Sequence, residues 1–166
     1  MKILQLVSVM LFALVTGVFW GTWFSLSRSM GSITPDTFLE VGKIMISNLG
    51  RPMSLLLPAT ILSAVPIMYV LYRRSDSSAF ILATLAVSLM LAAMTITLVV
   101  NVPLDDQFAA WTIATLPPDW RASRDRWEFY HGIRTLLSVA ALSCLVGSVL
   151  VGRESLGRAH LVRRAA

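Results

Sequence analysis

Four stretches of this chain run without a charged residue for long enough to cross a lipid bilayer: Ile3 to Ser27, Pro52 to Tyr72, Ser77 to Leu104 and Thr135 to Gly152. A hydrocarbon layer about 30 Å thick takes about 20 helical residues. The pattern therefore predicts an all-α protein, an integral membrane bundle of four transmembrane helices. It fills one domain over residues 1–166, with spans at about 3–27, 53–72, 79–101 and 133–152, outer loops at 28–52 and 102–132, and a cytoplasmic tail at 153–166. The first run has a short positive start but too long an apolar core for a signal peptide, and no small-x-small cleavage pattern precedes Arg28, so it reads as a retained span.

The connections carry their own helical signals. Thr34-Pro35-Asp36 is an N-cap, a first-turn proline and an acid at the positive helix end. Phe38, Leu39, Val41, Ile44, Met45 and Leu49 then recur at helical spacing, which predicts a short helix lying across the outer end. Asn101-Val102-Pro103 is expected to stop the third span, because proline disfavours helix at the residue before it, and Leu104 to Trp111 to form another short outer element. Pro117-Pro118-Asp119 starts the last helix near Asp119. From there to Val151 it is about 50 Å long at 1.5 Å per residue, more than the hydrocarbon requires. In the first span Gly17 and Gly21 suggest close packing through small residues, and in the second Pro58 and Pro66 predict a bend.

Charge orients the bundle. Lys2, Arg73, Arg74, Arg153, Arg158, Arg163 and Arg164 share one face with only Asp76 and Glu154, so that face carries the whole net charge of +5; seven basic residues on the other face meet seven acids. By the positive-inside rule both termini are cytoplasmic. The expected location is the inner, cytoplasmic membrane of a bacterium, with the bilayer itself as a partner for the basic face and no need of nucleic acid. The single cysteine, Cys144, excludes an internal disulfide and a thiolate metal cluster. The sequence sets no oligomeric state, so an oligomer stays open.

On the fourth helix Trp120, Arg124, Trp127, His131 and Arg134 fall within an arc of about 80°. Two indoles, two guanidiniums and an imidazole on one face can grip a planar or anionic molecule. Together with Asn101-x-Pro103-Leu104 and Trp111, the spacing Arg124-x-x-Trp127-x-x-x-His131-x-x-Arg134 resembles the anthrone oxygenase-like family of small four-helix membrane proteins. The resemblance implies a monooxygenase that uses molecular oxygen, without metal or flavin, on a lipophilic electron-rich aromatic of anthrone or hydroquinone type. Carried over by motif, its site residues are Asn101, Arg124, Trp127, His131 and Arg134. The family often has a second asparagine shortly after the proline, where this chain has Asp105-Asp106.

The residue chemistry can be read beside that resemblance. Oxygenation without a cofactor needs an acidic C–H or phenol to lose a proton before the substrate passes an electron to oxygen. His131 is the outer-face side chain whose ordinary pKa lies near neutrality, hence the expected general base. Arg124 and Arg134 then hold the developing oxyanion, while Trp127 and Trp120 stack on the rings and Trp111, Trp20 and Trp23 wall the pocket. No metal is expected, because His131 with two adjacent carboxylates is a poor ligand set. A second reading stays open: a non-catalytic membrane protein that binds a partner or a lipophilic ligand through this face, its arginines paired with Asp105, Asp106 or Asp119 and its aromatics serving as interface anchors. An enclosed cavity reaching His131 favours the first reading and an outward-facing aromatic patch the second.

Overall fold

The computed structural model describes residues 2–165, with side chains described except at 28 and 153–165. Arg28, Arg153, Glu154, Arg158, Arg163 and Arg164, which enter the charge count above, thus lie outside the described side chains. The fold is all-α. Helix α1 (Lys2–Gly21) continues through a π-turn (Thr22–Leu26) and a 3₁₀ segment (Ser27–Ser32); α2 is Pro35–Arg73; α3 (Ser77–Ile96) passes through a second π-turn (Thr97–Asn101) into α4 (Val102–Ala110); α5 is Trp120–Ala165. Four helices, Lys2–Ser32, Pro35–Arg73, Ser77–Ala110 and Trp120–Gly152, are long and apolar enough to span a membrane, the architecture of an integral membrane protein. Large apolar side chains such as Leu55, Leu62, Ile81 and Leu136 are exposed on the outside, where lipid replaces water as solvent.

Successive helices alternate in direction, so the tight Arg73–Ser77 turn lies at one end and both long connections at the other, here the loop end. The expected helix starts are in place: Thr34 caps α2, its hydroxyl accepting from the Thr37 N–H, with Pro35 in the first turn, and α5 begins at Trp120, beside Asp119. Asp76 also caps α3 by accepting from Ala79. Two expected breaks are absent. The separate short helix over Phe38–Leu49 is instead the first part of α2, which runs unbroken through Pro52, Pro58 and Pro66. Each proline forfeits one backbone bond, but unwinding the helix beside lipid would strand several more polar groups. Likewise Pro103 does not end the third span: it sits in the first turn of α4, where its missing N–H costs nothing, and the π-turn before it absorbs the change in register.

Close packing uses other residues than Gly17 and Gly21, which face open space. It lies between α3 and α5. Ala79, Ala83, Ala86, Met90 and Ala93 repeat at alternating spacings of four and three and are fully buried, opposite Ser138, Ala141, Leu145 and Ser148 of α5. That is a coiled-coil seam built from small side chains, which lets two helices approach closely in lipid. The Ser148 hydroxyl donates to the Ala79 carbonyl across it at 2.7 Å. Thr16 to the Ser138 carbonyl (3.2 Å) and Ser8 to the Ser63 carbonyl (2.8 Å) tie α1 to α5 and α2 in the same way. Overpacking the seam with Ala83→Leu should cost about 1–3 kcal/mol, read as a lower melting temperature in detergent, whereas Gly17→Leu on the exposed face of α1 should not lower it.

Candidate active site

At the loop end the helices diverge around a cavity of about 400 Å³. Its walls are mostly apolar. Met45, Ile46, Leu49, Met53 and Leu57 of α2 supply one side, Val18 and Phe19 of α1 another, and Met94 and Leu98 a third. Both π-turns contribute, Thr22 and Leu26 from the first and Thr97 and Leu98 from the second. The extra residue in such a turn widens the helix locally, a device common beside functional sites. Pro58 also leaves the Ser54 carbonyl without its helical donor, and both residues line the cavity. Four lining residues, Gly50 and Ser54 of α2 and Leu98 and Val102 of the α3–α4 junction, are exposed, so the cavity is not sealed from the surface there.

One region of the wall is polar, formed by Asp105 of α4 and Trp127, His131 and Arg134 of α5 with Thr97 beside them. The arc of five residues on α5 is buried along its whole length: Trp120, Arg124, Trp127, His131 and Arg134 are all at or below 8% exposed. Arg134 organises the centre. Its Nε donates to His131 Nδ1 at 2.8 Å and its Nη1 to the Thr97 hydroxyl at 3.1 Å, while its guanidinium lies 4.6 Å from the Phe19 ring centroid. Among the described residues its Nη2 has no hydrogen-bond partner.

That contact fixes the histidine. A guanidinium can only donate, so Nδ1 is an acceptor and the ring proton resides on Nε2. His131 is 1% exposed, and Nε2 makes no hydrogen bond, although the Phe19 carbonyl interacts with the imidazole. Trp127 stacks on it with ring centroids 4.7 Å apart at 24°. The Trp127 indole N–H in turn donates to Asp105 Oδ1 at 2.8 Å. Asp105 and Arg134 interact electrostatically but do not meet as an ion pair; the ion pair among the described residues is Arg124 with Asp125. The Asp105 carboxylate and the Arg134 guanidinium thus line one space without pairing with each other.

Of the residues singled out in the sequence, Trp127, His131 and Arg134 line the cavity, while Asn101, Arg124, Trp120, Trp111, Trp20 and Trp23 do not. Asn101, fully buried, donates through Nδ2 to the Trp127 carbonyl and joins the second π-turn to α5. Arg124 donates to the Met30 carbonyl at 3.2 Å and pins the connection after α1. Trp120 and Trp111 stand behind the lining residues Phe38 and Phe108, at 5.0 and 5.2 Å between centroids. Trp20 stacks on Phe24 near the exterior, and the Trp23 indole lies against Gly132. Sequence reasoning overlooked Thr97, Phe19 and the α2 wall; the helical spacing from Phe38 to Leu49 was the available signal for that wall. Asp105 was visible as a departure from the family pattern, as a partner for the arginines and as a weak metal ligand, but not as part of the cavity wall. No group of three or more metal-ligating side chains occurs among the described residues.

The family model for anthrone oxygenase matches residues 48–144. That segment is more than half of the chain and includes Asp105, Trp127, His131 and Arg134. No curated protein and no solved structure matches.

Proposed function

Because the chain belongs to the anthrone oxygenase family, we propose that it oxidises a lipophilic, electron-rich aromatic of anthrone or hydroquinone type with molecular oxygen and no further cofactor. The observation that carries this reading is the apolar cavity ending in Asp105, His131 and Arg134. Its size lies within the range of small-molecule sites. A planar polycyclic molecule dissolved in the bilayer reaches it where the wall is not sealed, with its polar edge toward Arg134 and His131 and its rings beside Trp127. Orientation follows the charge: the loop end lies on the outer side and both termini in the cytoplasm.

For an anthrone the chemistry balances as follows. Loss of one proton gives the delocalised anion, which transfers one electron to oxygen. The resulting radical and superoxide join at the ring carbon opposite the anionic oxygen. The hydroperoxide takes up a proton, then loses water together with the remaining hydrogen on that carbon, and a quinone forms. One oxygen molecule is consumed and one water released per quinone. Substrate anion is the species that must be stabilised, and buried N–H donors in a water-poor site do this far better than water.

The test is oxygen uptake by the purified protein in lipid vesicles with anthrone or a quinol. A protein-dependent rate above autoxidation is expected, with one quinone per oxygen for anthrone. Absence of any protein-dependent uptake across both substrate types would refute the proposal. The non-catalytic reading would then gain, since the same cavity can hold a lipophilic ligand without turning it over.

A further inference from the structure

We infer that Asp105, rather than His131, takes the substrate proton, and that it takes it from an aromatic hydroxyl: the cavity binds the enol, phenol-like form of its substrate. This rests on the oxygenase reading above and assigns the proton transfer within it.

A base needs an available lone pair, and the imidazole has none. The one at Nδ1 is held by Arg134 Nε at 2.8 Å, and Nε2 carries the proton. Nε2 is buried, and the acceptor its N–H interacts with is the Phe19 carbonyl. Arg134 Nη2 is the N–H donor of this wall that has no hydrogen bond among the described residues. The hydroxyl of Thr97 is already committed, donating to the Ala93 carbonyl and accepting from Arg134. Asp105 is the one carboxylate among the cavity-lining residues; Oδ1 takes the Trp127 N–H, and Oδ2 has no hydrogen bond among the described residues.

The arrangement matches a hydroxyl group in both senses. Its O–H donates to the carboxylate while its oxygen accepts from Arg134 Nη2–H. A ketone oxygen could use that donor but would leave the carboxylate facing a lone pair, a repulsive contact. When the proton passes to Asp105, the O–H pair remains on oxygen as an aryloxide held by the guanidinium. The aryloxide then gives its electron to molecular oxygen, and the carboxylic acid formed on Asp105 can return its proton to the peroxide.

The experiment compares the wild-type protein in vesicles with Asp105→Asn and Trp127→Phe, using anthrone and a more acidic halogenated anthrone, with binding followed by tryptophan quenching by the anthraquinone product. Asn keeps the size and an acceptor for the Trp127 N–H but is no base. It should retain quinone binding while kcat for anthrone falls at least ~100-fold, the usual range for loss of a general base, and the loss should shrink with the acidic anthrone. Trp127→Phe, which removes the N–H and spares the carboxylate, should lose much less. Asp105→Asn turning over anthrone within threefold of wild type, or losing the same factor on both substrates, would overturn the assignment while leaving the oxygenase reading intact. An inactive wild type would instead remove the reading beneath it.

Discussion

Arg134→Lys should lower turnover of anthrone by ~100-fold or more, the usual loss when an oxyanion donor is removed, although the substitution conserves charge. The guanidinium does three things from one rigid plane. Nε fixes the His131 tautomer, Nη1 is anchored by Thr97, and Nη2 is left toward the cavity. An ammonium on a flexible stem cannot hold that geometry. Without the Nε donor, Nδ1 becomes free to carry the ring proton and Nε2 loses its role as a donor. The positive charge facing Asp105 persists, so the melting temperature should fall only slightly, whereas Arg134→Met should fall further because it leaves that carboxylate without its nearby cation. Quinone formation per protein in vesicles reads the first effect and a thermal melt in detergent the second. A Lys variant within threefold of wild-type turnover would mean that position 134 supplies charge alone, and the tautomer argument would fail.

The four spans were legible because bilayer thickness imposes a single requirement, about 20 uncharged residues, that no local detail overrides. The inward face of α5 was legible for a similar reason: Trp120, Arg124, Trp127, His131 and Arg134 share an arc by helical periodicity alone, and all five are buried. What periodicity could not reveal is which members of that arc meet empty space. Arg124 and Trp120 became struts, because the connection after α1 and the Phe38–Phe108 pair occupy the space in front of them. Position along the helix decides this, since the cavity lies nearer the bundle centre than Trp120 does.

Other features were hidden by the prolines and glycines. Pro52 and Pro103 carry strong stop signals in water, but next to lipid the chain keeps its helix through Pro52 and passes through a π-turn before Pro103. Treating Pro103 as a terminus placed Asp105 in an outer loop; as part of a continuing helix, it projects into the cavity. Gly17 and Gly21 have the spacing of a packing motif, yet the alanine seam of α3 does that work, since alanines also allow close approach and at lower entropic cost. Spacing identifies a candidate face; only the partner helix decides whether it is used.

A glycine does matter at the cavity wall. Gly42 of α2 lines the cavity, and a Cβ built there meets nothing within 4 Å. A larger side chain at this position should grow into the binding space without displacing protein. Gly42→Phe is therefore expected to keep or slightly raise the melting temperature, since a mid-helix glycine costs about 1 kcal/mol relative to a better helix former. Its effect on three-ring substrates should be large: kcat/KM for anthrone down ~100-fold, because a shift of about 1 Å at the reacting atoms suffices for such a loss. A single-ring hydroquinone needs only the polar end and should be oxidised within threefold of the wild-type rate. The contrast separates filling of the cavity from damage to Asp105, His131 or Arg134, which would lower both rates together. Equal losses on the two substrates, or none on either, would show that the planar rings do not lie in this cavity. Selective loss of the larger substrate would place them against α2, opposite the groups that handle the proton.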